Sequence, residues 1–292
     1  MVFHPPVAVV AKAGDAGKYK VGLPAWNLLL RGFMAGAYIA MGGALATVCS
    51  TGIMATDAAA RYGAASAGFA QLILGSVFPV GLIIIVLTGA ELFTGDAMLA
   101  PMAAFIHKVS WPQVINLWIL VYIGNFIGSI VFAYIMAYGP FVSFDSTGAA
   151  TVTAFGTRAI AIASAKVSYV GMLGMWSAFL KAVACNWLVN LAILLGICAD
   201  DLIGKFFGIW FPIMAFVSSG FEHSVANMYF IPAGILTQGF ITDPTKINAG
   251  LTWVTMWTNN LIIVSIGNIV GGLFFVGVIY WVAFRKEIAA LK

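Results

Sequence analysis

The sequence predicts an all-α integral membrane protein in which six transmembrane helices form an inverted 3+3 repeat, with helices two and five broken. Three observations point there. Hydrophobic residues make up 62% of the 292 positions and charged ones only 8%, a balance that no water-exposed surface carries. The apolar residues come in several runs of about 20 or more, enough to cross roughly 30 Å of hydrocarbon at 1.5 Å per helical residue. Two of these runs are too long for one straight crossing, and both carry polar residues near their centres. Strands of a transmembrane barrel would alternate polar and apolar residues, and 69–89 does not.

The elements follow in order. Residues 7–20, VAVVAKAGDAGKYK, place apolar groups near helical spacing beside lysines, which predicts a short helix lying on the membrane surface. Pro5, Pro6, Asp15 and several lysines precede any long apolar run, so no cleavable leader is expected and the first span directs insertion. Spans are predicted at 27–53, 66–106, 111–138, 168–198, 207–240 and 253–284. One transmembrane domain, 1–292, results. It comprises an interfacial segment (1–26), a first three-helix repeat (27–138), an extracytoplasmic connection (139–166), a second repeat (167–284) and a tail (285–292).

The second span contains TGAELFTGD (88–96) and the fifth SSGFEHS (218–224). Backbone that leaves the helix at membrane depth survives only where protein buries it or where it lines a watery cavity, since each unsatisfied amide costs several kcal/mol. Broken helices meeting near the bilayer centre are therefore expected. The halves also echo each other. Gly89, Glu91 and Asp96 recur 131 positions later as Gly220, Glu222 and Asn227, and IGNxxG at Ile123 recurs at Ile266. Leu30-Arg31 and Leu180-Lys181 form a weaker third match. With three spans per half the second half runs in the opposite sense, a pattern that places a substrate path at the repeat interface.

Six spans leave both termini on one side. Lys12, Lys18, Lys20, Arg31, Lys108, Lys205, Arg285, Lys286 and Lys292 fall there, against Arg61, Arg158, Lys166 and Lys246 opposite; nine against four puts both termini in the cytoplasm. The net charge of +4 is spread too thinly to form a nucleic-acid stripe.

His223 is the one histidine within a predicted span, beside Glu222 and one turn before Asn227. An ionisable group at that depth is a functional candidate, the alternative being a neutral ring bonded to a nearby carbonyl. Glu91 and Glu222 each follow a break glycine, where a carboxylate can accept backbone N–H bonds from a half-helix N-terminus and hold the break together. Thr94 and Ser224 offer hydroxyls that bind a small anion, fix the histidine tautomer or cap their own half-helices. Asn186, one turn beyond Lys181, suits either an anion path or an interhelical hydrogen bond. For Asn125 and Asn268 the Gly-rich context favours the interhelical bond. Cys49, Cys185 and Cys198 lack metal spacing and read as small core residues, so no metal and no cofactor is expected.

The strings TGAELFTGD, KAVACNWLVNLA, SSGFEHSVANMYFIPAGI and IGNIVGG, with the opening PPVAVVAKAGDAGKYK, resemble the formate/nitrite transporter family from end to end, formate channels most. The resemblance implies an aquaporin-like fold, a pore through each protomer, and a homopentamer in the cell membrane. It makes His223 the central pore histidine and Thr94 its hydroxyl partner, with Asn186 and Asn227 as polar pore-side positions. It assigns Phe78 and Phe216 to one apolar constriction and Leu82, Leu92, Phe93 and Val189 to the other. Two departures stand out. Asp96 occupies a position where the family often has Asn, and the lysine expected sixteen residues before Asn186 is absent, Lys166 lying twenty before it. Lys166 and Lys181 remain rivals for the vestibule cation.

A channel or transporter of a small monovalent anion, with a proton as a possible companion, is the function so implied: formate first, then nitrite, hydrosulfide, acetate or lactate. Rival readings are weaker. An intramembrane enzyme built on Ser218, Ser219 and His223 lacks the glycine of a GxSG motif, Val217 standing in its place. A haem-binding subunit needs two histidines at similar depth, whereas His107 lies at a loop edge and His4 in the tail.

Overall fold

The computed structural model describes residues 3–53 and 65–290. Pro5 starts the surface helix α1 (Pro6–Val21), with Pro6 at the first turn where its missing N–H costs nothing. Valines and small residues form its buried face. Helices α2 (Ala25–Cys49), α3 (Ala65–Val77), α4 (Val80–Thr88), α5 (Phe93–Phe105) and α6 (Trp111–Tyr138) complete the first half. A hairpin of β1 (Val142–Phe144) and β2 (Ala150–Val152) leads to α7 (Ala154–Lys166), α8 (Gly171–Cys198), α9 (Leu202–Ser218) and α10 (Ser224–Gln238). The long helix α11 (Trp253–Ala290) closes the chain and contains two π-helical stretches, Trp257–Leu261 and Leu273–Val278.

Five helices among the described residues are long and apolar enough to cross a membrane: Ala25–Cys49, Gly68–Thr88, Trp111–Tyr138, Gly171–Cys198 and Trp253–Ala290. α9 is a shorter apolar helix. It begins five residues before the predicted 207 because Asp201 caps it, Oδ1 accepting the Gly204 N–H at 2.7 Å. Ile115, Ile119, Ile123 and Ile127 form an exposed apolar stripe on α6, a surface suited to lipid or to another apolar surface. Arg61 and Lys292, counted in the charge bias, lie outside the described residues.

Small residues set the packing. A Cβ on Gly36 would lie 2.0 Å from the Asn125 carbonyl oxygen, and one on Gly128 would lie 2.0 Å from that of Phe33, so α2 and α6 touch backbone to backbone. α8 and α11 repeat this contact through Gly271, whose Cβ would lie 2.4 Å from the Val183 oxygen. Each half also opens with a short helix, α1 before α2 and α7 before α8. From sequence, 139–166 reads only as a connection. α7 escapes that reading because its apolar residues are mostly alanines, too small to mark a face.

Candidate functional site

The chain leaves the helix between α4 and α5 and again between α9 and α10. Gly89 (φ 75°) and Gly220 (φ 70°) turn it in the left-handed region, where a Cβ would be strained. Each turn strands backbone groups away from water. One asparagine answers each. Asn125 donates to the carbonyls of Gly32 (2.8 Å) and Glu91 (2.9 Å) and accepts the Phe93 N–H (3.0 Å). Asn268 donates to Ala182 (2.8 Å) and Glu222 (3.0 Å) and accepts the Ser224 N–H (2.8 Å). The Glu91 and Glu222 N–H groups reach the carbonyls of Arg31 (3.2 Å) and Lys181 (3.4 Å).

The glutamate side chains therefore do not cap the half-helices, as the sequence suggested; the asparagines occupy those amides, and each buried carboxylate takes cations instead. Glu91 pairs with Lys20 and lies 3.6 Å from Arg31. Glu222 accepts from Lys166 (2.8 Å), Tyr169 (2.9 Å) and Asn227 (2.7 Å), and Asn260 stands 3.4 Å away. The first π-helical stretch of α11 carries Asn260, which also donates to the Lys166 carbonyl (2.8 Å). Lys181 stands back, donating to the Tyr169 hydroxyl at 3.1 Å, as Arg31 does to Tyr19 at 3.2 Å. From sequence Lys20 reads only as a topological charge, and Arg31 as that and as part of the weak third repeat match, although a carboxylate at depth demands a cation.

His223 caps α10. Its Nδ1 accepts the Ala226 N–H at 3.0 Å, and its Nε2 lies 3.0 Å from Thr94 Oγ1. Because Nδ1 is an acceptor, the neutral ring carries its proton on Nε2 and donates it to Thr94. The Thr94 hydroxyl hydrogen then remains free for another acceptor. Asn186 (3.0 Å) and Asn190 (3.1 Å) both donate to the Thr94 carbonyl and fix its position. Asn190 was missed, though the N-x-x-x-N spacing of CNWLVN puts it one turn from Asn186 on the same face.

One cavity is lined by His223, and a second by Leu92, Gly95 and Asp96, the residues around Thr94 in sequence. The first, about 220 Å³, is lined by Phe78, Arg158, Lys166, Phe216, His223 and Asn227. The Phe216 ring stacks on His223 with centroids 5.8 Å apart and meets Phe78 edge-on at 5.9 Å. The other, about 320 Å³, is lined by Lys20, Arg31, Leu82, Glu91, Leu92 and Asp96 among others. Phe93 and Val189 line neither of these two cavities. Phe93 instead packs edge-on against Tyr122 (4.9 Å) and Trp118 (6.5 Å), while Val189 is buried.

Comparison with known proteins agrees with this architecture. A family model for formate/nitrite transporters matches residues 7–282. A probable formate transporter of Methanothermobacter thermautotrophicus is 41% identical over 98% of both chains. A formate channel of Bacillus thuringiensis is 34% identical over the full length of both. A solved pentameric formate channel with formate bound, 33% identical, superposes with a TM-score of 0.72 over 90% of this chain and 98% of its own. The chain belongs to the formate/nitrite transporter family.

Proposed function

We propose that this membrane protein passes formate through a pore in each protomer of a homopentamer, and that the His223–Thr94 pair is its central station. The pair joins the two half-helix N-termini, His223 lining one cavity and the neighbours of Thr94, Leu92, Gly95 and Asp96, lining the other, and this single arrangement carries the reading. The chain crosses the cell membrane six times, with helices two and five broken and both termini cytoplasmic. It performs no catalysis.

The mechanism follows from the donors. Lys166, with Lys181 behind it, draws an anion into one cavity, and Lys20 and Arg31 serve the other. Between them the anion sheds water against Phe78 and Phe216 on one side and Leu82 and Leu92 on the other. The Thr94 hydroxyl, accepting from His223 Nε2–H, turns its hydrogen to the anion. Two helix N-termini add their partial positive charge. Acid acts through the cap: a proton on Nδ1 would displace the Ala226 bond and give an imidazolium that attracts the anion more strongly. Flux thus rises as pH falls.

Nitrite, hydrosulfide, acetate and lactate are the alternative cargoes, since an apolar collar selects mainly by size and ease of protonation. Uptake of labelled formate into proteoliposomes, set against these four and sulfate from about pH 5 to about pH 8, tests the reading and its pH dependence. Formate leads, and sulfate, whose second charge finds no partner, stays out. His223→Asn keeps a cap for α10 but loses the bond to Thr94, so the pentamer persists while flux and its pH response fall. Unchanged flux and pH response in that variant would sink the role of His223.

A further inference from the structure

The two breaks are built alike, yet one position differs. Asp96 in the first half corresponds to Asn227 in the second, each five residues after its break glutamate. Asn227 donates its amide to Glu222 and to Asn260. Asp96 cannot donate: it is a second carboxylate beside Glu91, and both reach the single ammonium of Lys20, Asp96 Oδ1 at 3.1 Å. The Asp96 side chain is fully buried and lines the Lys20 cavity, and neither of its oxygens accepts a hydrogen bond of good geometry.

Charge around the two cavities differs accordingly. On the Lys20 side, α1 brings Lys20, α2 Arg31 and α9 Lys205, against Glu91 and Asp96, for a net +1. On the other side Arg158 and Lys166 of α7 line the cavity, and behind Lys166 stand Glu222 and, through Tyr169, Lys181 of α8, for a net +2. The remaining helices packed on α5, which are α6, α10 and the middle of α11, carry no charged residue within their spans facing it. Tyr19 is the other titratable side chain at this cavity.

We infer that Asp96 makes the two mouths of the pore unequal: the cytoplasmic mouth holds an anion more weakly, and protonation of the Asp96–Glu91 pair restores it. The inference rests on the transport reading above. One extra negative charge roughly 8 Å from the anion, at an effective dielectric of about 20–40, changes occupancy by about five- to thirtyfold. Detailed balance keeps the ratio of maximal rate to half-saturation equal in both directions at zero voltage. The asymmetry therefore shows as a higher half-saturation at the cytoplasmic face, matched by a higher maximum.

Formate uptake into right-side-out and everted membrane vesicles, measured against formate concentration, reads each face separately. In the wild type, half-saturation at the cytoplasmic face is about tenfold higher at neutral pH and tightens as that face is acidified. Asp96→Asn, which installs the amide already present at Asn227, brings the two faces within about twofold, and acid then changes both faces alike, through His223 and the substrate's own protonation, without narrowing a difference between them. If Asp96→Asn does not assemble, the wild-type comparison of faces and pH still decides. Equal half-saturation at both faces of the wild type, or an asymmetry untouched by Asp96→Asn, overturns the inference. Absence of formate flux in either orientation overturns the transport reading itself, a distinct result.

Discussion

Asn268 satisfies three backbone groups with one side chain, and its removal has a calculable cost. In Asn268→Leu the side-chain volume is nearly kept, so the loss is mainly of hydrogen bonds. The Ala182 carbonyl lies inside α8 and keeps its helical partner. The Ser224 N–H and the Glu222 carbonyl flank the break, and neither gains a helical partner. Leaving two buried backbone groups unpaired costs about 1–3 kcal/mol each, about 2–6 kcal/mol together. Interhelical side-chain bonds in membranes average nearer 0.6 kcal/mol, which for three bonds gives about 2 kcal/mol and sets the floor. Reversible unfolding in mixed detergent micelles measures the difference from wild type. Both groups adjoin His223, so formate flux falls in the variant even where the pentamer forms. A stability loss below about 1 kcal/mol with flux intact would refute the view that Asn268 holds the second break.

Further outcomes follow from the same contacts. Lys166→Ala leaves the Glu222 carboxylate buried without its cation, at a cost of about 3–5 kcal/mol, and adding Glu222→Gln recovers much of that in a double-mutant cycle. Gly36→Val forces α2 off the Asn125 carbonyl and costs at least about 3 kcal/mol, read as loss of the folded protein in detergent. Phe216→Ala opens one collar, so acetate uptake relative to formate rises by about tenfold, measured by competition in proteoliposomes.

Chain-wide hydropathy and the GxE echo made both breaks legible, because a polar interruption inside an apolar run has few other meanings. The residues that hold the breaks were harder to read. Asn125 and Asn268 recur with their own spacing, but nothing in a linear pattern says that an amide on one helix reaches a gap in another. Lys20 was assigned to a surface helix, and α1 turns out to pack on α5 so that its last turn meets Glu91. Phe93 shows the converse limit: the resemblance groups it with Leu92, and while Leu92 lines the Lys20 cavity, Phe93 packs edge-on against Tyr122 of α6. Leu92 is still extended and Phe93 is the first helical residue, so a string cannot say which of the two faces the cavity.

The division of labour at the centre has a physical reason. A fixed cation about 4 Å from a dehydrated anion would attract it by about 4 kcal/mol at an effective dielectric near 20, enough to slow release by roughly a thousandfold. Conduction needs weaker binding than that. Here the four cations nearest the breaks are set back against Glu91, Glu222 or tyrosine hydroxyls, and the groups that meet at the centre are uncharged: the Thr94 hydroxyl and the His223 ring. Two helix N-termini contribute about 0.3–1 kcal/mol each. Two half-helix N-termini that meet through Thr94 and His223 thus supply a positive potential strong enough to replace lost water and weak enough to let an anion go. A continuous helix would place no N–H ends there, and a lysine in place of Thr94 would hold what it attracts.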